Sequence, residues 1–154
     1  VKRVLDLADL TDGELRTALD LARRLDADRS AGRSLLREKT VGLVFMDASV
    51  RTLASMQAAA TQCGGASFVI TPGTGSWKFE TRTGVVMDGD AAEHVREGIP
   101  VVGQYCDVLA VRRFADKTDL DADLDDRVMR TIAELSPVPF LNLESAASHP
   151  CQAL

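Results

Sequence analysis

With 154 residues, 45% hydrophobic and 27% charged, the chain has the length and make-up of one globular domain with a real core, not of a disordered or fibrous protein. No apolar run approaches the ~20 residues that span a bilayer, and Val1-Lys2-Arg3-Val4 has no apolar stretch behind it, so no membrane span or secretory leader is expected and a cytoplasmic setting is. A net charge of −5 argues against a nucleic-acid surface, and three cysteines without a CxxC pair, with two histidines in all, give no metal centre.

The absent initiator methionine points to a trimmed or excised segment. Thr11-Asp12-Gly13-Glu14 is a capping box, and Leu15, Ala18, Leu19, Ala22 and Leu25 follow at helical spacing, predicting a first amphipathic helix. Val41-Gly42-Leu43-Val44-Phe45 is an apolar run of strand length, as a strand buried on both faces requires. A helix is predicted from about Thr52 to Gln62, stopped by Gly64-Gly65, and a second strand over residues 67–70. Residues 71–90 read as a long irregular stretch with four glycines, Pro72 and the only tryptophan, Trp77; a connection that long is usually functional or poorly ordered. Asp90 with Glu93 repeats the capping pattern and opens a helix toward Tyr105, kinked at Pro100. Residues 108–111 form the third strand.

Asp119, Asp121, Asp123, Asp125 and Asp126 read as a solvated loop and helix start. Val128, Ile132 and Leu135 mark the next helix, which Ser136-Pro137-Val138-Pro139 ends. Residues 140–143 form a fourth strand, and Pro150 suits the first turn of a last helix. Strands alternating with helices predict an α/β fold: a doubly wound, three-layer α/β/α domain over residues 1–154, with a parallel sheet of about four strands.

In such a sheet, ligands bind outside the carboxyl ends of the strands. Three short elements fall there. Ser49-Val50-Arg51-Thr52 follows the first strand and opens a helix, where unpaired N–H groups, two hydroxyls and a guanidinium suit a phosphate. By spacing alone, an ordinary N-cap beside a surface arginine serves equally well. Arg112 ends the third strand, with Arg113 beside it as an equal candidate. His149-Pro150-Cys151-Gln152 follows the fourth strand, and a lone histidine there is otherwise a structural hydrogen-bonder. No GxxxxGK[ST] or GxGxxG is present to support a nucleotide site.

Ser-x-Arg-Thr after the first strand, Arg after the third and His-Pro-x-Gln after the fourth resemble, in order and spacing, the carbamoyl-phosphate-binding domain of the aspartate/ornithine carbamoyltransferases. Leu5-Asp6-Leu7-Ala8-Asp9-Leu10 and Ser136-Pro137-Val138-Pro139 match too. The resemblance covers the whole chain and stops where the family's second, amine-binding domain would begin. Ser76-Trp77-Lys78-Phe79-Glu80, Val86-Met87-Asp88-Gly89-Asp90 and Glu93-His94 resemble the N-acylornithine branch. There the tryptophan reaches into a neighbouring subunit's site, implying a homotrimer, and Glu144 lies near the acylornithine. Ala92 stands where acetylornithine enzymes have glutamate and succinylornithine enzymes have proline. It lacks the carboxylate that would repel a succinyl group, and Ile99-Pro100-Val101 with Tyr105-Cys106-Asp107 also lean to the succinyl side. One departure is Leu53, where most of the family has a second arginine.

The resemblance implies transfer of a carbamoyl group from carbamoyl phosphate to the δ-amine of an N-acylornithine, in arginine biosynthesis, without a metal or organic cofactor. Ser49, Val50, Arg51 and Thr52 would hold the phosphate, Arg112 and His149 would polarise the carbamoyl oxygen, Gln152 would fix the carbamoyl NH2, and Trp77 would complete the pocket from another chain. Ornithine or another amine as acceptor, and a non-catalytic anion-binding domain, remain the alternatives.

Overall fold

The computed structural model describes residues 2–154; Val1, with which the expected domain begins, lies outside them. In chain order the elements are β1 (Arg3–Val4), α1 (Asp12–Ala27), β2 (Thr40–Phe45), α2 (Val50–Gln62), β3 (Ala66–Ile70), β4 (Phe79–Glu80), β5 (Glu93–His94), α3 (Val95–Gly103), β6 (Val108–Arg112), α4 (Leu120–Leu124), α5 (Arg127–Leu135), β7 (Phe140–Glu144) and α6 (Pro150–Ala153). β1, β7, β6, β2 and β3 lie side by side in that order in one parallel sheet. The four expected strands are all present, and β1 adds a two-residue fifth at the edge.

Alternation along the strands divides the core between two faces. Val41, Leu43 and Phe45 of β2, with Ala110 and Leu143, pack toward Leu53, Met56 and Ala60 of α2. Val44, Leu109, Val111 and Phe140 pack on the other face against Val95, Ile99 and Val102 of α3 and Met129, Ile132 and Ala133 of α5. Each such side chain contributes about 1.5–3 kcal/mol relative to leaving it in water, so burial on both faces holds the three layers together. No helix among the described residues is long and apolar enough to cross a membrane.

The capping box of α1 forms as expected: Thr11 accepts from the Glu14 amide while the Glu14 carboxylate accepts the Thr11 amide at 2.8 Å. Its apolar stripe stays half-buried at Leu15, Ala18, Leu19 and Leu25, and Ala22 is exposed. α2 opens at Val50, two residues earlier than expected, because Ser49 caps it. Gly64 ends it with φ +80°; its amide bonds Thr61 and the Gly65 amide bonds Ala60. A Cβ at Gly64 would also collide with the Arg33 carbonyl.

Three expectations need correcting. α3 does not open at Asp90. It opens at Val95, with the His94 ring Nδ1 accepting the Arg96 amide at 3.1 Å. Glu93 cannot reach back as a capping residue because it accepts the Trp77 indole N–H at 2.9 Å, and Glu93–His94 pair with β4 as a strand. Pro100 lies within α3. Second, residues 71–90 are not wholly irregular: β4 lies among them, and Lys78–Asp90 and Arg82–Glu80 ion pairs pin the loop. Third, the acidic run is not all solvated. Asp119 caps α4 by accepting the Ala122 amide at 3.0 Å, Asp123 accepts the Asp116 and Lys117 amides, and Asp126 is buried.

Candidate active site

Because β2, β6 and β7 are parallel neighbours, they end at the same edge of the sheet, and the three sequence elements follow from those ends. Ser49 is extended (φ −156°) and its Oγ accepts the Thr52 amide at 3.2 Å. That bond uses an acceptor site of the hydroxyl and leaves its proton free to donate outward. Val50 and Arg51 are exposed on the first turn of α2, and Arg51 makes no hydrogen bond or ion pair among the described residues. Thr52 turns inward, its Oγ1 accepting from Arg112 Nη1 at 3.4 Å. Leu53, where the resemblance leads one to expect arginine, packs from α2 against the core of Val41, Leu43 and Phe45.

Arg112 is buried, 7% exposed, at the end of β6. Its guanidinium stacks 4.4 Å from the centre of the Phe114 ring and pairs with Glu144. A register shift makes that pairing possible. Val111 lies opposite Asn142, but Arg112 lies opposite Glu144, so Leu143 is bypassed and Glu144 is brought beside the arginine. The Glu144 carboxylate also lies 3.5 Å from His149 Nε2. Thr52, Arg112, Glu144 and His149 therefore meet in one cluster. Arg112 Nε and His149 Nδ1 are buried in it with no partner among the described residues. Buried donors and acceptors are nearly always paired, so such atoms mark a place where a polar ligand group would be accommodated.

Arg113, the alternative to Arg112, is committed elsewhere: it donates to the Phe114 carbonyl and to Asp116 Oδ1 at 2.5 Å. Gln152 is exposed in the first turn of α6, its backbone N–H donating to the His149 carbonyl at 3.0 Å. Trp77 is 62% exposed and tied through its indole to Glu93, the residue after exposed Ala92, and no hydrogen bond or ion pair among the described residues joins it to the arginine cluster. The aromatic partner Phe114 and the bridging position of Glu144 are the features sequence reasoning missed; the first has no motif, and the second depends on the register shift. No group of His, Cys, Asp and Glu among the described residues has the geometry to hold a metal ion.

Residues 2–154 match the family described as aspartate/ornithine carbamoyltransferase, carbamoyl-P binding domain. The chain is 40% identical over 92% of its length to the N-succinylornithine carbamoyltransferase of Bacteroides thetaiotaomicron, and 38% identical over 100% of its length to the N-acetylornithine carbamoyltransferase of Xanthomonas campestris. It covers 44% of each of those proteins, so it spans less than half the length of the relatives it matches. The ornithine carbamoyltransferase of Trichormus variabilis is 32% identical over 98% of the chain. A crystal structure of acetylornithine transcarbamylase complexed with acetylcitrulline superposes with a TM-score of 0.91 at 38% identity, covering 99% of this chain and 45% of that one. Structures of N-acetyl-L-ornithine transcarbamylase variants in which one glutamate is replaced by serine or alanine, complexed with carbamyl phosphate and N-succinyl-L-norvaline, superpose equally well. With its sheet, strand-end elements and full-length family match in agreement, the chain belongs to the aspartate/ornithine carbamoyltransferase family.

Proposed function

We propose that this chain is the carbamoyl-phosphate half of an N-acylornithine carbamoyltransferase that works in arginine biosynthesis in the cytoplasm, with the succinyl form preferred over the acetyl form. The observation that carries the reading is the cluster of Thr52, Arg112, Glu144 and His149 beside the N-terminus of α2. A hydroxyl pair, a helix N-terminus and Arg51 would cradle the phosphate, while Arg112 and His149 face the carbamoyl oxygen.

In this reaction the neutral δ-amine attacks the carbamoyl carbon. The new C–N bond forms, the C–O bond to phosphate breaks, and the nitrogen passes a proton to the phosphate as it leaves. The carbamoyl oxygen gains negative charge on the way, which the Arg112 guanidinium and the His149 ring stabilise. Positioning of the two substrates supplies the rest, and no protein nucleophile is needed. Glu144 pairs with the same guanidinium that the anion would take, so carbamoyl phosphate displaces its carboxylate. That carboxylate is then free to face the incoming acylornithine. Gln152 would hold the carbamoyl NH2.

Trp77 supports a homotrimer with shared sites: a large indole fixed in an exposed position is suited to completing a neighbour's pocket rather than its own. Ala92 lies one residue before the glutamate that anchors Trp77, so both would enter that neighbouring site together. Mutants of an N-acetyl-L-ornithine transcarbamylase in which a glutamate is replaced by serine or alanine are seen with a succinyl compound, which supports Ala92 as the position that admits the succinyl carboxylate.

The test is to assay the full-length protein with carbamoyl phosphate and, in turn, N-succinylornithine, N-acetylornithine and ornithine. Turnover of the acylated amines, with succinyl ahead, is expected. Ala92→Glu should move the ratio of kcat/KM toward the acetyl substrate by about tenfold, equivalent to ~1.4 kcal/mol of repulsion. Turnover of ornithine alone would favour the second reading, which the Trichormus variabilis relative supports.

A further inference from the structure

We propose that Asp126 is a positioning residue for His149, acting through the turn of residues 145–148 that carries the chain from β7 to α6. The proposal rests on the reading of His149 given above. Within the acidic run, Asp126 is the buried aspartate, 8% exposed, and its backbone is left-handed (φ 53°). It precedes the first residue of α5, yet its side chain makes no capping bond to that helix. The side chain is turned the other way and accepts the Ser145 hydroxyl. Burial pushes the carboxyl above its ordinary value, against the Ser145 bond, the charge of Arg130, the Ala146 amide and the charge of Arg113. An aspartate that gives up its cap and is desolvated as well stabilises something other than its own helix.

That something is the turn. The Ser145 hydroxyl can donate once and accept twice. It donates to Asp126, accepts from Asn142 Nδ2 at 2.9 Å and accepts from the Ser148 amide at 3.3 Å. The Ser145 amide closes the loop on the Ser148 carbonyl at 2.8 Å. Asn142 also donates to the Leu5 carbonyl at 2.9 Å, and the Ser148 hydroxyl donates to Asp6 Oδ2 at 2.6 Å, which ties the turn to the start of the chain. The turn is flanked by Glu144 on one side and His149 on the other, the two residues that meet beside Arg112. Without the Asp126 acceptor, the Ser145 proton has an alternative partner, the Ser148 carbonyl at 3.2 Å. The hydroxyl would rotate and the turn would reseat, taking His149 with it.

The experiment measures kcat and KM of the full-length protein as Asp126→Ala, Asp126→Asn and Ser145→Ala, each alone and combined with His149→Ala. Asp126→Asn keeps an acceptor oxygen and a residue type that tolerates the left-handed backbone. Misplacing a catalytic group by an ångström costs up to about 100-fold, so Asp126→Ala and Ser145→Ala should lower kcat about tenfold or more. The KM for carbamoyl phosphate should rise much less than kcat falls, because its phosphate is held by α2 and only the carbamoyl oxygen faces His149, and Asp126→Asn should restore most of kcat. In the His149→Ala background, Asp126→Ala and Ser145→Ala should have almost no further effect, within about twofold, as residues acting through one group require. Equal losses in both backgrounds would overturn the proposal, and the Ser145→Ala cycle decides it if Asp126→Ala does not fold. Unchanged kcat in His149→Ala itself would overturn the reading of the site, and the proposal with it.

Discussion

At the scale of single residues, Arg112 is the centre of the proposed site, its guanidinium buried between an aromatic ring, a hydroxyl and a carboxylate. Glu144 is its ion-pair partner and, on the proposed function, would compete with carbamoyl phosphate for it. Glu144→Gln should tighten carbamoyl phosphate binding, by about tenfold if ~1.4 kcal/mol of competition is removed, while raising KM for the acylornithine. Calorimetry on the full-length protein checks the first effect and steady-state kinetics the second. Weaker carbamoyl phosphate binding would show that Glu144 orients Arg112 rather than competing for it. The strand-end arginine and the histidine were legible from their positions after apolar runs. So was their convergence at the carboxyl edge of a parallel sheet; the Glu144 bridge between them was not, because the bypassed Leu143 that puts Glu144 opposite Arg112 is a matter of register between distant strands. Asp126 was hidden for another reason: in a run of aspartates, composition cannot tell which one turns inward.

At the scale of elements, the strands buried on both faces were legible because their side chains are apolar throughout. β1, β4 and β5 have two residues each, too few to show any period. The start of α3 was misplaced because Asp90 and Glu93 have capping spacing, whereas the glutamate is occupied by Trp77. Capping and loop pairs also set the response to acid. The Thr11 amide, then Lys2 and the Thr11 hydroxyl, hold the Glu14 carboxyl down to about 2, and the Arg82 guanidinium, then its amide, hold Glu80 down to about 2. A carboxyl that binds its proton less readily folded than unfolded stabilises the fold above its ordinary value near 4.5, and that contribution is lost as pH falls toward 2. Tm should therefore decline through this window. In Glu14→Gln with Glu80→Gln the decline should be shallower, as read by thermal melts at each pH; an unchanged slope would mean these pairs do not persist in solution.

At the scale of the whole molecule, the candidate residues fall in two sets: the arginine cluster at the sheet edge, and exposed Trp77 and Ala92 on either side of β4. A shared site in an oligomer would join the first set of one chain to the second of another. Mixed Trp77→Ala and Arg51→Ala subunits of the full-length protein should then regain part of the activity that each lacks alone, since some sites draw both residues intact. No recovery after verified subunit exchange would confine each site to one chain. The central claim is that the crevice formed by Ser49 to Thr52, Arg112 and His149 holds carbamoyl phosphate. Its most direct test is a calorimetric titration of the full-length protein with carbamoyl phosphate, wild type beside Arg51→Ala. Removing one charge-assisted contact should weaken binding by about 1.5–3 kcal/mol, or roughly 10- to 150-fold, with the melting temperature little changed, because Arg51 is exposed and makes no ion pair among the described residues. Equal affinity in the two proteins would reduce Ser49 to Thr52 to a helix cap and contradict the account.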